Sequence, residues 1–145
     1  MDKERTSLKE IGEMMHEVIR VFRKLISEQS EIKITMEQFG LLHAISQKTE
    51  DVIQKNMAEI MGKDKSAILR VIDSLEKKQL VRRVVDKNDR RKNYLMVTKK
   101  GELVLNQYLK INMELIDLLE QGLTNSDINT FFKVVNHIKS KAKNM

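Results

Sequence analysis

The chain of 145 residues contains no cysteine, no proline and only five glycines. Without cysteine it cannot form a disulfide, hold zinc through thiolates or sense redox state, which fits a reducing cytoplasm. Without proline, no helix is broken by a pyrrolidine ring. The sequence also lacks an apolar signal segment near its start and any apolar run of about 20 residues. We therefore expect a soluble cytoplasmic protein that does not enter a membrane.

Catalytic motifs are absent as well. The sequence contains no nucleophile elbow, no glycine-rich phosphate loop, no cysteine nucleophile and no paired carboxylates in a catalytic pattern, so we do not expect an enzyme. The three histidines, His16, His43 and His137, lack the HxxxH or HExxH spacing of a metal site, and we expect neither metal nor cofactor. With 41% hydrophobic and 33% charged residues, the chain has the composition of one folded, helix-rich domain.

Positive charge is concentrated in the central third of the chain. Residues 52–101 contain 14 lysines and arginines against 6 aspartates and glutamates, a net charge of +8. The remaining residues contain 13 against 15, a net charge of −2. A basic segment between near-neutral flanks is the pattern expected for binding a polyanion, most simply nucleic acid. A solvated basic surface without a partner is the alternative.

Apolar periodicity and capping residues predict helices interrupted by one pair of strands. In chain order the prediction is a helix from a Ser7–Glu10 capping box, a helix from a Thr35–Gln38 capping box to about Lys48, a short helix Ile53–Met61 closed by Gly62, a helix Asp64–Gln79 capped by Asp64, strands Leu80–Val85 and Asn93–Val97, a helix from Thr98 to Gly122, and a helix from Thr124. The predicted buried stripes include Leu8, Ile11, Met15, Val18, Phe22 and Leu25, then Phe39, Leu42 and Ile45, then Ile68, Val71, Ile72 and Leu75, then Val104, Tyr108, Ile111, Leu115 and Leu118, and finally Ile128, Phe131, Val135 and Ile138.

This order predicts a mainly α fold with a small β-hairpin wing. A helical pair followed by a basic hairpin is typical of a winged helix-turn-helix lobe, which we place at residues 35–101 of a single domain, 1–145. Residues 7–34 and 102–145 supply N- and C-terminal dimerisation helices. Long amphipathic helices cannot bury their apolar stripes alone, so we expect a homodimer, the alternative being a helical cap on a monomer.

The candidate contacts to double-stranded DNA lie on the Asp64–Gln79 helix and in the hairpin turn. The exposed N-terminal residues of that helix are predicted to be Lys65, Ser66, Ala67, Leu69 and Arg70. Arg70 has the fork geometry to bind guanine O6 and N7, or else it is a solvated residue paired with Asp73 or Ser74. Ser66 suits a base edge or a phosphate. The predicted phosphate contacts are Lys63, Lys65, Lys55 and Asn56.

The hairpin turn comprises Asn88, Asp89, Arg90, Arg91 and Lys92. We predict that Arg90 or Arg91 enters the minor groove or binds phosphate. Asp89 is not suited to a phosphate, and we predict that it fixes the turn or orients a neighbouring arginine.

The segment from Met57 to Gly101 resembles the MarR family of winged-helix regulators. The family's wing signature, Asp-x-Arg, five residues, Leu-Thr, two residues and Gly, falls on Asp89, Arg91, Val97, Thr98 and Gly101, with valine in place of leucine. Its helix signature falls on Met57, Ala58, Glu59, Asp73, Leu75 and Glu76. Two departures are notable: Gln79 replaces a helix-ending glycine, and Ala67 and Leu69 replace polar threonines.

The resemblance implies a homodimer on a pseudo-palindromic operator, usually a repressor, relieved by an effector bound between the dimerisation helices and the DNA-binding lobe. A small aromatic or anionic effector is implied, and its candidate contacts are His16, Arg20, Phe39 and His43, with Arg20 suited to a carboxylate. Two alternatives remain open. One is a constitutive DNA-binding regulator without an effector, and the other is a winged-helix protein-interaction module whose basic face meets an acidic partner.

Overall fold

The computed structural model describes residues 7–48 and 52–145. These residues form α-helices and three short strands, in the order α1 (Leu8–Gln29), α2 (Met36–Ser46), β1 (Val52–Ile53), α3 (Gln54–Met61), α4 (Lys65–Lys77), β2 (Val81–Val85), β3 (Asn93–Val97), α5 (Lys99–Leu119) and α6 (Asn125–Lys143). The chain divides into two compact units, Met1–Ile111 and Asn112–Met145. The predicted mainly α fold with a β wing is confirmed.

Local sequence sets the helix ends largely as predicted. Both predicted capping boxes form: the Ser7 hydroxyl accepts the Glu10 N–H at 3.2 Å, and the Thr35 hydroxyl accepts the Gln38 N–H at 3.1 Å. Thr124 caps α6 in the same way, and the hydroxyl of Thr98 accepts the N–H of Gly101 in the first turn of α5. Each cap satisfies a backbone donor that the helix cannot pair internally.

The sheet has one more strand than the predicted hairpin. β3 lies between β1 and β2, and both pairings are antiparallel, with Val52 opposite Leu95 and Val81 opposite Val97. Residue Ile53, which we predicted to begin a helix, belongs to β1 and serves as the N-cap of α3. A strand of two residues is too short to show alternating hydrophobicity, so no pattern in the sequence indicates β1.

The core of the first unit lies where α2 packs against α4 and β3. Its buried apolar side chains are Phe22, Ile26, Leu41, Leu42, Ile45, Val52, Met57, Ile68, Ile72, Leu75, Leu80, Val81, Leu95, Val104, Leu105, Tyr108 and Ile111. The predicted stripe of α2 was incomplete, because α2 contacts more than one element and buries Gln38 and Leu41 as well, while Phe39 is only half-buried.

Several apolar residues predicted to be buried are exposed in the single chain. In α1 only Phe22 and Ile26 are buried, and Leu8 and Met15 face solvent. In the second unit, α6 buries no residue, and Leu118 in α5 is exposed together with Phe131 and Ile138 of the α6 stripe. The periodicity therefore identified amphipathic helices correctly, but it did not establish that the chain itself covers their apolar faces. Over residues 7–48 and 52–145, no helix combines the length and apolarity needed to cross a bilayer.

Candidate nucleic-acid interface

The turn between α3 and α4 positions the first turn of α4 at the surface. Gly62 ends α3 in the left-handed conformation (φ 62°), as predicted, and Asp64 occupies the N-cap position of α4. The Asp64 carboxylate makes no side-chain cap hydrogen bond to the backbone and instead accepts the hydroxyl proton of Ser66. Our prediction of a backbone cap was wrong in this respect, because the nearby hydroxyl competes for the carboxylate.

The remaining predicted residues of this turn differ in their surroundings. Lys65, Ser66 and Arg70 are exposed, whereas Ala67 and Leu69, predicted to be exposed, are half-buried. Leu69 faces α3, where it lines a small cleft with Ala58. The ammonium of Lys63 lies 3.0 Å from the Glu37 carboxylate, so contact with a phosphate would compete with this ion pair.

Arg70 has no partner among the described residues. Its two predicted alternative partners are engaged elsewhere: Asp73 binds Arg83, and Ser74 accepts a hydrogen bond from the Gln38 amide at 2.7 Å. The guanidinium of Arg70 therefore faces solvent near the start of α4. This position keeps all of its donors available for a base edge or a phosphate.

Arg83 joins the sheet to both helices of the helical pair. From β2 its guanidinium donates to the Gln54 side chain at 2.7 Å, to Glu76 at 2.8 Å and to Asp73. Burial alone would lower the pKa of Arg83, but the carboxylates of Asp73 and Glu76 more than offset this and raise it. Sequence reasoning missed this residue. In the alternating run VRRVV it shares a strand face with buried Val81, and a half-buried arginine requires partners.

The wing tip is organised around Asp86. Its carboxylate accepts the hydroxyl of Tyr94 at 2.6 Å and the backbone N–H groups of Asn88 and Asp89 at 2.7 and 3.2 Å. The Tyr94 hydrogen bond, followed by that from Asn88, lowers the pKa of Asp86. An aspartate that binds backbone N–H groups two and three residues further on is a known turn-forming pattern, and the run DKND contains that signal.

Asp89 contacts the arginine that follows it. One Asp89 carboxylate oxygen accepts the Arg91 backbone N–H at 3.0 Å and lies 3.5 Å from Nε of Arg91, whose side chain is 94% exposed. The structure thus places Asp89 where it both holds the turn and orients a neighbouring arginine. Arg90 and Asn88 are exposed at the same tip.

Six predicted contacts line one concave surface between α3, α4 and the wing. This surface, called the basic groove below, has a volume of about 610 Å3 and is lined by Ile53, Gln54, Lys55, Asn56, Lys65, Asp89, Arg91, Lys92 and Asn93. Four of the lining side chains are cations and one is an anion. Three separate segments of sequence therefore combine into one electropositive site, which is suited to a polyanion.

The junction between α4, β2 and α5 explains the end of the wing signature. Gln79, which replaces a helix-ending glycine of the family, adopts the left-handed conformation (φ 64°). The Thr98 hydroxyl donates to the Gln79 carbonyl at 2.7 Å, and the Thr98 N–H donates to the Leu80 carbonyl at 3.1 Å. Gly101 lies directly against that Leu80 carbonyl, where a Cβ atom would overlap it.

The four predicted effector residues lie on α1 and α2. Arg20 is paired with Glu17 at 2.8 Å, and His16 is exposed. Phe39 and His43 stack with ring centroids 6.0 Å apart. A separate cavity of about 340 Å3, called the α1–α2–α5 cavity below, is lined by Phe22, Arg23, Ile26, Ser27, Lys33, Ile34, Thr35, Met36 and Tyr108. None of the four predicted residues lines it.

The arrangement of helices α3 and α4 with a wing of β2 and β3 defines the chain as a winged-helix protein. The sequence model of the MarR family matches residues 34–92, which span α2 through the wing tip. Over these residues the chain is similar to the MarR family. The matched family and the matched fold are those of transcriptional regulators.

Solved structures of transcriptional regulators share the fold. MarR is 25% identical, with a TM-score of 0.72 over 93% of this chain and 98% of that one. The transcriptional regulator SlyA is 20% identical, with a TM-score of 0.75 over 91% and 93%. The PcaV transcriptional regulator from Streptomyces coelicolor, solved in complex with its natural ligand, is 20% identical, with a TM-score of 0.73 over 97% and 99%.

Proposed function

We propose that this protein is a homodimeric transcriptional regulator that binds a pseudo-palindromic operator, in most settings as a repressor, and releases it when a small aromatic or anionic effector binds. The observation that carries the proposal is the convergence of Lys55, Lys65, Arg91 and Lys92 on the basic groove. On α4, which contributes Lys65, Arg70 has no partner among the described residues. A cytoplasmic location is part of the proposal, because the protein has to reach chromosomal DNA.

The geometry supports separate roles for α4 and for the surfaces beside it in DNA binding. α4 presents Ser66 and Arg70 on its exposed N-terminal half, the part of a recognition helix that reaches base edges in the major groove. The basic groove and the wing tip flank this helix with lysines and arginines suited to phosphates. Arg70 would then specify sequence, and the flanking cations would supply affinity that falls with salt.

Binding selection from a random duplex library at near-physiological salt tests this proposal. Recovery of a palindrome with half-sites about ten base pairs apart is expected, because a two-fold dimer presents two recognition helices about 34 Å apart. A Lys65→Ala/Lys92→Ala variant is expected to bind the selected duplex more weakly, and a Lys139→Ala/Lys141→Ala variant, with the same loss of charge in α6, to bind it normally. Recovery of no motif, with weak binding to every duplex, would instead favour a winged-helix module for an acidic protein partner.

The second unit supports the dimer. Its exposed apolar side chains include Met113, Leu118, Leu119, Leu123, Phe131, Phe132, Val134 and Ile138. Monomeric proteins rarely leave so many large apolar residues uncovered, so a second copy of the chain is the expected cover. Sedimentation equilibrium is expected to give twice the chain mass, and Phe132→Glu to give a monomer with lower operator affinity. A wild-type monomer that still holds a full palindrome tightly would exclude the dimer.

The α1–α2–α5 cavity is the proposed effector site. Apolar side chains of Phe22, Ile26 and Met36 form much of its lining, and Arg23 and Lys33 add two cations whose side chains have no partner among the described residues. An aromatic carboxylate matches this combination of apolar walls and positive charge. Benzoate is expected to weaken operator binding by the wild-type protein. The matched control is Arg23→Met, whose operator binding is expected not to change when benzoate is added. A panel of aromatic acids that leaves operator affinity unchanged would favour a constitutive regulator.

A further inference from the structure

The segment between α1 and α2 forms one wall of the α1–α2–α5 cavity and is held in place by Tyr108. The Tyr108 hydroxyl donates to the Ile32 carbonyl at 3.0 Å and accepts the Ile34 N–H at 2.9 Å. Lys33, Ile34 and Thr35 of this segment line the cavity together with Tyr108. A molecule in the cavity would therefore touch both this segment and the residue that fixes it.

The opposite side of the same segment is bonded to the end of α4. The ammonium of Lys78 donates to the Lys33 carbonyl at 2.9 Å and to the Gln38 side-chain oxygen at 3.0 Å. That oxygen also accepts the Thr35 N–H at 3.0 Å, and the Gln38 amide nitrogen donates to Ser74 in α4 at 2.7 Å. Gln38 is only 7% exposed, so its bonds are shielded from water.

We propose that Gln38, Ser74 and Lys78 form a relay that couples occupancy of the α1–α2–α5 cavity to the position of α4. The inference rests on the proposed function, since it takes α4 as the helix that meets DNA. The carbonyl of Lys33 and the N–H of Thr35 are relay contacts, and both residues line the cavity. An occupant that shifts these residues must lengthen the bonds that fix the C-terminal end of α4.

A coupling of this kind requires that a ligand bind the cavity less tightly while the segment keeps its bonds to α4 than after those bonds are broken. A ligand shifts an equilibrium only when its affinities for the two states differ. Lys78 suits the role, since an ammonium on a flexible stem can exchange two protein acceptors for water when the segment moves. Lys33 lines the cavity, so an anionic occupant could form an ion pair with it. The carbonyl of the same residue accepts the hydrogen bond from Lys78.

An occupant built into the protein tests the relay without an identified effector. Ser27 is exposed at the cavity, and Ser27→Trp introduces a single indole into a chain that has no tryptophan. Blue-shifted emission shows that the indole is shielded from water, as is expected when it fills the cavity. Met36→Trp, at another lining position, replaces this variant if the emission is that of a solvated indole.

The readouts are amide hydrogen exchange over residues 74–78 and the Kd for a duplex selected by the wild-type protein. In the wild-type background the buried indole is expected to speed exchange at the end of α4 and to raise the Kd at least about fivefold. Lys78→Met and Ser74→Ala, each combined with the indole, are expected to reduce the Kd response to below about twofold. Lys77→Met removes the same charge from the neighbouring exposed residue and is expected to leave the response intact.

Equal responses in the Lys78→Met and Lys77→Met backgrounds would overturn the relay while leaving the effector site in place. A buried indole that changes neither readout in the wild-type background would overturn both the relay and the effector site. If the protein binds no duplex at all, the proposed function fails, but exchange at the end of α4 still decides whether the relay operates.

Discussion

Gly101 in the first turn of α5 lies so close to the carbonyl oxygen of Leu80 that no side chain fits between them. The same carbonyl accepts the Thr98 N–H at 3.1 Å. The start of α5 is therefore fixed against the point where α4 gives way to β2. The glycine of the wing signature serves a close approach of two backbone segments.

We predict that Gly101→Ala lowers the free energy of unfolding by about 1–3 kcal/mol, because the added methyl group forces the backbone of Leu80 away. Urea denaturation followed by circular dichroism measures the change. Gly12→Ala is the matched control, since nothing lies within 4 Å of a Cβ at that helical position. It is expected to stabilise the protein by about 0.5–1 kcal/mol through reduced chain entropy. Equal stability of the two variants would show that the Leu80 backbone moves away from the added methyl group without a loss in the free energy of unfolding.

Much of the fold could be predicted from the sequence because its signals are local. Ser7, Thr35 and Thr124 cap helices through residues three positions away, and Gly62 ends a helix in the left-handed conformation that glycine favours. The groove residues could also be predicted, since lysines and arginines near a turn or a helix start remain exposed whatever the packing.

The tertiary polar contacts could not be predicted. Arg83, Gln38 and Lys78 each bind partners 7 to 45 residues away, and no periodicity identifies such pairs. The α1–α2–α5 cavity, which none of the four predicted effector residues lines, could not be predicted for the same reason. The sequence pattern shows only that α1 and α5 each have an apolar face. It does not show which face of either helix packs against the segment between α1 and α2.

Arg83 is expected to stabilise the winged-helix lobe through its three partners. Arg83→Met removes hydrogen bonds to Gln54, Glu76 and Asp73, and we predict a loss of roughly 1–3 kcal/mol in the free energy of unfolding. Arg82→Met, on the same strand, removes the same charge but only a weak contact with the sulfur of Met96, and a change within about 0.5 kcal/mol is expected. Similar losses in both variants would show that the effect comes from removing a positive charge rather than from the hydrogen bonds of Arg83.

Arg70 is expected to contribute sequence preference. We predict that Arg70→Ala costs about 1–3 kcal/mol on the selected duplex and much less on random duplex, because a lost base contact matters only where the matching base is present. Fluorescence anisotropy on both duplexes measures the difference. Lys77→Ala, further along the same helix, controls for the loss of one positive charge. Equal losses of Arg70→Ala on selected and random DNA would assign Arg70 to phosphate contact.

The wing arginines are expected to contribute to the salt dependence of binding. Removing a cation that neutralises one phosphate reduces the slope of log K against log salt by up to about 0.9, so we predict this change for Arg90→Ala. Arg91→Ala is expected to change the slope by no more than that, because Asp89 already lies 3.5 Å from its guanidinium. Lys139→Ala in α6 serves as the control. A slope unaltered by either arginine substitution would place the wing away from the DNA backbone.

The Asp86 carboxylate is expected to make the wing tip sensitive to acid. Its pKa is lowered in the folded protein by the Tyr94 hydroxyl and by backbone N–H groups, so the carboxylate stabilises the fold above the pKa of an unfolded aspartate, about 3.9. This contribution is lost as pH falls from that value through the lower pKa of the folded state.

Asp86→Asn abolishes the titration, and its free energy of unfolding is expected to depend less steeply on pH in this acidic range than that of the wild type. Asp127, whose pKa is also lowered, by the N–H and hydroxyl of Thr124, titrates in both proteins and provides the background slope. Parallel pH profiles for wild type and Asp86→Asn would show that the tip is held by the backbone turn alone, without the charge of Asp86.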